Sequence, residues 1–290
     1  MNTTCRYWER LDNENIRCHI CPHQCLIRES GHGLCRVRSN VAGTMTLESY
    51  GRTSGFAVDP IEKKPLNHFF PGSNVLSFGT IGCNLNCQFC QNWSLSRCQD
   101  ISRLDSIASP AEIASLAVAN NCKSIAFTYN DPVPSLEFYI DIAKACHENH
   151  LKMVAVSSGY VTQEAASEFF RFTDAANIDL KSFNDGFYRK LTGARLGPVL
   201  DTLDFIANET QTWLEVTTLL IPGENDSDQE IEELTSWFVD TLGPHVPLSF
   251  SAFHPAGKMT SIPRTTPDTL IHAREIALKT GIHYVYTGNI

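Results

Sequence analysis

The stretch Gly79-Thr-Ile-Gly-Cys83-Asn-Leu-Asn-Cys87-Gln-Phe-Cys90 sets three cysteines at C-x3-C-x2-C spacing. It follows directly on an apolar run that begins at Val75, so the thiols fall where a strand gives way to a loop. Three thiolates in one loop suit three irons of a 4Fe-4S cluster, whose usual protein ligand is Cys, and leave the fourth iron open. A ferredoxin supplies a fourth cysteine close by, whereas the next one here, Cys98, lies outside the pattern. The competing reading of the same spacing is a three-Cys zinc site completed by a distant His.

Outward from this loop, short β-branched or aromatic runs alternate with longer amphipathic stretches, which predicts an α/β fold of repeated strand and helix units. The strand candidates are 75–82, 124–129, 153–157, 176–181, 213–221 and 248–253. Helix starts are marked by Ser109-Pro110, Thr162, Ser227 and Thr266-Pro267. From Pro134 to Asn149, Leu136, Ile140, Ala143 and Cys146 recur on one helical face. Periodicity leaves an open doubly wound sheet and a barrel equally open, but in both the chemistry gathers just after the strands. Residues 1–70, rich in Cys and turn formers, read as an N-terminal Cys-rich module packed on a barrel of residues 71–290.

Composition narrows the function classes. The chain has 290 residues, and 23 Lys and Arg against 32 Asp and Glu give 23 − 32 = −9, a balance unsuited to gripping phosphate backbones, so no nucleic acid is expected. No run approaches the ~20 apolar residues of a membrane span, and Met1 to Cys18 is too polar for a signal peptide, which predicts a cytoplasmic protein with no membrane partner. Seven of the 11 cysteines fall in two clusters, a pattern of metal binding or redox chemistry rather than disulfides.

Cys83-x3-Cys87-x-Phe89-Cys90 after a first strand resembles the signature of radical S-adenosylmethionine (SAM) enzymes, including the aromatic Phe89 before the last cysteine. The resemblance implies a partial (β/α)6 parallel barrel, a 4Fe-4S cluster on Cys83, Cys87 and Cys90, and SAM bound to the open iron. Reductive cleavage of SAM would then yield a 5′-deoxyadenosyl radical for hydrogen abstraction, with an electron donor such as flavodoxin or ferredoxin as partner. Asp59-Pro-Ile-Glu-Lys-Lys-Pro-Leu66, Cys90-Gln-Asn-Trp93, Cys21-Pro-His-Gln-Cys25 and Tyr284-Val-Tyr-Thr-Gly-Asn289 resemble the subgroup of pyruvate formate-lyase activating enzymes, and within it the radical SAM member of the AmmeMemoRadiSam system. Such relatives often continue past the last element into a cysteine-bearing tail.

The same resemblance points to SAM contacts. Asn130-Asp131-Pro132 stands where relatives receive the amino group of SAM, although a plain capping turn fits too. Ser157-Ser-Gly-Tyr160 stands at a ribose and carboxylate contact, with an ordinary strand-to-helix turn as the alternative. Asn177, Asp179 and Lys181 alternate and so share one face; a Lys and an Asp inside a barrel are costly unless paired or bound to ligand. The turn 219–226 resembles one beside adenine, and His254 either approaches SAM or substrate or caps the barrel mouth.

Cys18, Cys21, Cys25 and Cys35 form a candidate second metal site for zinc or a second iron-sulfur cluster. The substrate is unidentified: a small molecule or a partner of the same system is favoured over glycyl-radical formation on a protein. The reading from another class is a non-catalytic zinc-binding scaffold with both cysteine clusters structural.

Overall fold

The computed structural model describes residues 3–98, 100, 104 and 106–290. Seven parallel strands form its centre: β1 (Asn74–Phe78), β2 (Ser124–Phe127), β3 (Lys152–Ser157), β4 (Ala175–Asp179), β5 (Trp213–Leu220), β6 (Leu248–Ala252) and β7 (Val285–Gly288). They pair in chain order, and Phe56–Pro60 adds an antiparallel edge strand beside β1. Crossover helices α1 (Pro110–Ala119), α2 (Leu136–Glu148), α3 (Gln163–Arg171), α4 (Gly197–Glu209), α5 (Asp228–Leu242) and α6 (Pro267–Thr280) join consecutive strands. This is the expected α/β parallel fold, and all six expected strands are present.

Within this sheet the additional strands are β7 and the Phe56–Pro60 edge strand. β7 is four residues long and contains Thr and Gly, so it carries no strong strand pattern. Phe56–Pro60 draws residues before position 70 into the main sheet. The chain after it crosses towards the opposite edge: the Asn67 and His68 N–H groups donate to Glu215 on β5, and His68 Nε2 meets the Tyr286 hydroxyl of β7 at 2.7 Å. The curved sheet is thereby strapped into a partial barrel.

Local chemistry sets the element ends. Ser109 and Glu112 form a reciprocal capping box on α1, and Ser227 and Thr266 each accept one N–H at the start of α5 and α6. Thr162 makes no such cap; its hydroxyl donates to His19 O at 2.7 Å and ties α3 to the N-terminal segment. α2 starts at Leu136, after a 3-10 turn over Val133–Ser135, because Pro132 and Pro134 have no N–H to give. β1 stops at Phe78, short of the expected Gly82, because the backbone turns away at Gly79 to begin the cysteine loop.

The apolar faces of the helices close over the sheet in a core that includes Phe78, Phe127, Phe138, Tyr139 and Phe169, all fully buried. Each such side chain contributes roughly 1.5–3 kcal/mol relative to exposure. Across this core lies a buried ion pair. Arg38 Nη2 meets Glu137 Oε2 at 2.5 Å, while Arg38 Nε donates to Pro134 O at 2.8 Å. The N-terminal segment thus grips the turn that leads from β2 into α2.

Asp174, just before β4, accepts from Lys152 Nζ, the Met153 N–H and His147 Nε2 at 2.7–2.8 Å. Burial opposes its ionisation, yet these donors prevail and hold the carboxyl below the usual carboxylate range. A depressed folded pKa gives stability that is present above the unfolded pKa and is lost as pH falls through the folded value. Asp174→Asn is therefore expected to lower stability by a constant amount from neutral pH to about pH 4, with the gap to the parent shrinking below that. Urea unfolding across pH measures this, and a gap that persists undiminished in acid refutes the assignment.

Candidate active site

At the carboxyl ends of the strands lies a cavity of about 270 Å³. Cys83, Cys87 and Cys90 all line it, and Phe89, Asp179 and Lys181 share the wall. Burial raises the Cys83 thiol well above its usual range and pushes Cys87 up to about 12, with Lys181 opposing the rise at Cys87.

The loop that carries the thiols is held by backbone rather than by its own secondary structure. The Asn86 and Gln88 N–H groups donate to Thr192 O and Leu191 O at 2.7 and 2.8 Å, and the Lys258 N–H donates to Gln88 O at 2.6 Å. Leu85 N–H points at Cys83 Sγ at 3.4 Å. Gly82 sits at φ +79°, and a Cβ there would stand 2.2 Å from Cys35 O, so only glycine lets the N-terminal segment pack this closely.

Asn130 and Asp131 both line the cavity, but their polar atoms are engaged by protein. Asn130 Oδ1 accepts the Thr80 N–H at 2.8 Å and Nδ2 donates to Gly82 O at 2.8 Å, which moors the start of the cysteine loop. Asp131 accepts from the Ser158 N–H at 2.8 Å, Ser158 Oγ at 2.6 Å, the Val133 N–H at 3.0 Å and Ser157 Oγ at 3.1 Å. Burial raises the Asp131 pKa, and these donors offset part of the rise. The carboxylate therefore locks the end of β2 to the end of β3, and Ser157 and Ser158, whose hydroxyls donate to it, also line the cavity.

Asp179 and Lys181 share one face as expected, with Lys181 Nζ 2.9 Å from Asp179 Oδ2. Burial works against the ammonium, but the Asp179 carboxylate and the Cys87 sulfur raise the Lys181 pKa, so Lys181 stays charged. The Lys181 ammonium also lies 5.9 Å from the centre of the Phe89 ring, which packs on Phe187. Asn177 stands below them and exchanges hydrogen bonds with Thr217 at 2.8 Å. His254 is not among the cavity residues; its Nε2 meets Asn289 O at 2.8 Å.

Residues 78–235 match the model of the Radical SAM superfamily. The chain belongs to that superfamily. It is 39% identical over 284 residues to an uncharacterized protein of Methanocaldococcus jannaschii, covering 98% of this chain and 84% of the relative. It is 24% identical over 172 residues to the pyruvate formate-lyase-activating enzyme of Clostridium pasteurianum, covering 57% of this chain and 69% of that one. In fold it is similar to a radical SAM methyltransferase from Sphaerobacter thermophilus, with TM-score 0.61 and 16% identity over 99% of this chain and 76% of that one.

Membership of the radical SAM superfamily implies a 4Fe-4S cluster and SAM, and the donor set fits both. Three thiols from one loop face a single cavity, beside the hydrogen-bonded Asp179 and Lys181 and two serine hydroxyls. Among the described residues no three His, Cys, Asp or Glu side chains stand close enough to clasp one metal ion. A cubane asks for a wider arrangement, since each of its cysteines binds a different iron.

Three positions gave no sequence signal that singled them out. Asn225 accepts the Ile221 N–H at 2.7 Å and donates to Lys181 O and Leu219 O, joining the ends of β4 and β5. Asn84, inside the cysteine motif, donates to Tyr160 O at 2.6 Å. Tyr129 lines the cavity with φ +71°, and its ring lies 5.1 Å from the buried Lys64 ammonium.

Proposed function

We propose that this chain is a radical SAM enzyme whose Cys83, Cys87 and Cys90 hold the cluster, with SAM seated against Ser157, Ser158, Asp179 and Lys181. The observation that carries the reading is that all seven side chains line one cavity. When bound, the cluster and SAM supply a reductively generated 5′-deoxyadenosyl radical that abstracts a hydrogen atom from substrate. The protein's own residues position and exclude. Lys181 offers a charge to a carboxylate and Asp179 to an ammonium, the serine hydroxyls, whose protons go to Asp131, offer acceptor oxygens, and Phe89 shields the cysteine loop from water. Asn130 and Asp131 act as positioning residues that keep the loop and the β2 and β3 ends in register.

We take the substrate to be a small molecule or a partner within an AmmeMemoRadiSam-type system, with flavodoxin or ferredoxin as reductant. The named activating-enzyme relative supports a second reading, glycyl-radical formation on a partner protein. Anaerobic protein given dithionite and SAM is expected to release 5′-deoxyadenosine and methionine. A colourless, zinc-loaded protein that releases neither compound sinks the proposal.

A further inference from the structure

We propose that Cys18, Cys21, Cys25 and Cys35 form a second, four-thiolate metal site seated directly behind the loop of Cys83, Cys87 and Cys90. The fold gathers all four from a segment with little regular structure. Cys18 closes the strand Ile16–Cys18, and its N–H donates to Cys25 O at 3.0 Å, so the hairpin sets these two side by side. Cys21 lies in the turn between them, where its carbonyl accepts the Gln24 N–H at 3.1 Å. Cys25 and Cys35 face each other across Gly33: a Cβ there would stand 3.7 Å from each sulfur. All four are free thiols, and Cys18, Cys21 and Cys35 are buried.

Backbone N–H groups point at three of these sulfurs. Ile20 and His23 hydrogen-bond Cys18 and Cys21 from two residues downstream, and Leu34 N–H lies 3.5 Å from Cys25 Sγ. The same two-residue step recurs at Cys83 and Leu85 in the barrel loop. Among the described residues the sulfurs do not stand at one-ion distances, and binding of an ion would draw them together through rotamer changes, each of which moves a Cys Sγ by about 3 Å.

The surroundings give such a centre a purpose. The strands here are short, Trp8–Arg10, Ile16–Cys18 and Leu26–Ile27, and three strands of this length bury too little to hold themselves. Yet they back the catalytic loop: Cys35 O abuts Gly82, and His23 Nε2 meets Asn84 O at 2.8 Å. A tetrathiolate centre would staple this support. The donor set suits a thiophilic metal, either one Zn²⁺ or an iron-sulfur cluster.

The test uses the full chain with Cys83, Cys87 and Cys90 all changed to serine, purified anaerobically, treated with EDTA and assayed for zinc, iron and sulfide. Retention of about one zinc per chain, or of iron with matching sulfide, supports the site and identifies its occupant. Further substitution of Cys21→Ser and Cys25→Ser is expected to remove that metal. Because the triple variant can fail to fold, the fully reconstituted parent chain is measured as well, and metal beyond the about four irons of the barrel loop is expected. A parent chain with about four irons, no zinc and no further iron overturns the proposal whether or not SAM is cleaved.

Discussion

Cys87→Ala is expected to abolish 5′-deoxyadenosine formation and to strip the iron bound by the barrel loop, whereas Cys98→Ala keeps both. Cys87 sits at the centre of the motif, and the Lys181 ammonium that acts on it is raised in pKa and has no lone pair to offer in its place. Cys98 is buried outside the cavity and hydrogen-bonds Asp100 O at 3.3 Å, so it is no substitute ligand. Since the cofactor carries the chemistry, loss of its ligand cannot be compensated by the remaining contacts. Iron per chain and single-turnover product in both variants measure this, and persistent turnover in Cys87→Ala refutes the ligand assignment.

The second large effect is at Asp131, and two substitutions separate its roles. Asp131→Ala leaves the buried Ser158 and Val133 N–H groups without an acceptor. Each such loss costs about 1–3 kcal/mol, so the variant is expected to lose roughly 2–6 kcal/mol, a large part of a typical 5–15 kcal/mol stability. Asp131→Asn keeps an acceptor for only one of these N–H groups, since Val133 donates to Oδ1 and Ser158 to Oδ2, and it turns an amide NH2 towards the other. The Asn variant is therefore expected to lose about 1–3 kcal/mol, less than the Ala variant, while binding SAM about tenfold more weakly through loss of the carboxylate charge in the cavity wall. Calorimetric SAM titration and thermal melts of both variants check this. Equal SAM affinity in Asp131→Asn shows that the residue serves the fold alone.

The behaviour of Asp131 shows where sequence reading reaches its limit. The motif Asn130-Asp131-Pro132 marked a carboxylate just after a strand, and the cavity is indeed there. What it could not show is that the oxygens are already taken by donors from β3, more than twenty positions away in the chain. The same holds for Thr162, whose spacing reads as a helix cap but whose hydroxyl goes to His19. For His254, the reading as a residue near SAM stood beside that of a cap at the barrel mouth; its ring nitrogen is engaged by Asn289 O.

By itself the sequence determined the features that depend on near neighbours: the cysteine spacing, the six strands, the caps at Ser109, Ser227 and Thr266, and the shared face of Asp179 and Lys181. Strand and helix periodicities act over a few residues, so they are written locally. Only the tertiary structure decided which partners each polar group found. It added β7, the strap from Asn67 and His68 to Glu215, the Arg38–Glu137 pair and the packing of the Cys35 carbonyl against Gly82. Those contacts exist because buried donors, acceptors and charges must be paired wherever the packed chain brings a partner within reach, and that reach is set through space rather than along the sequence.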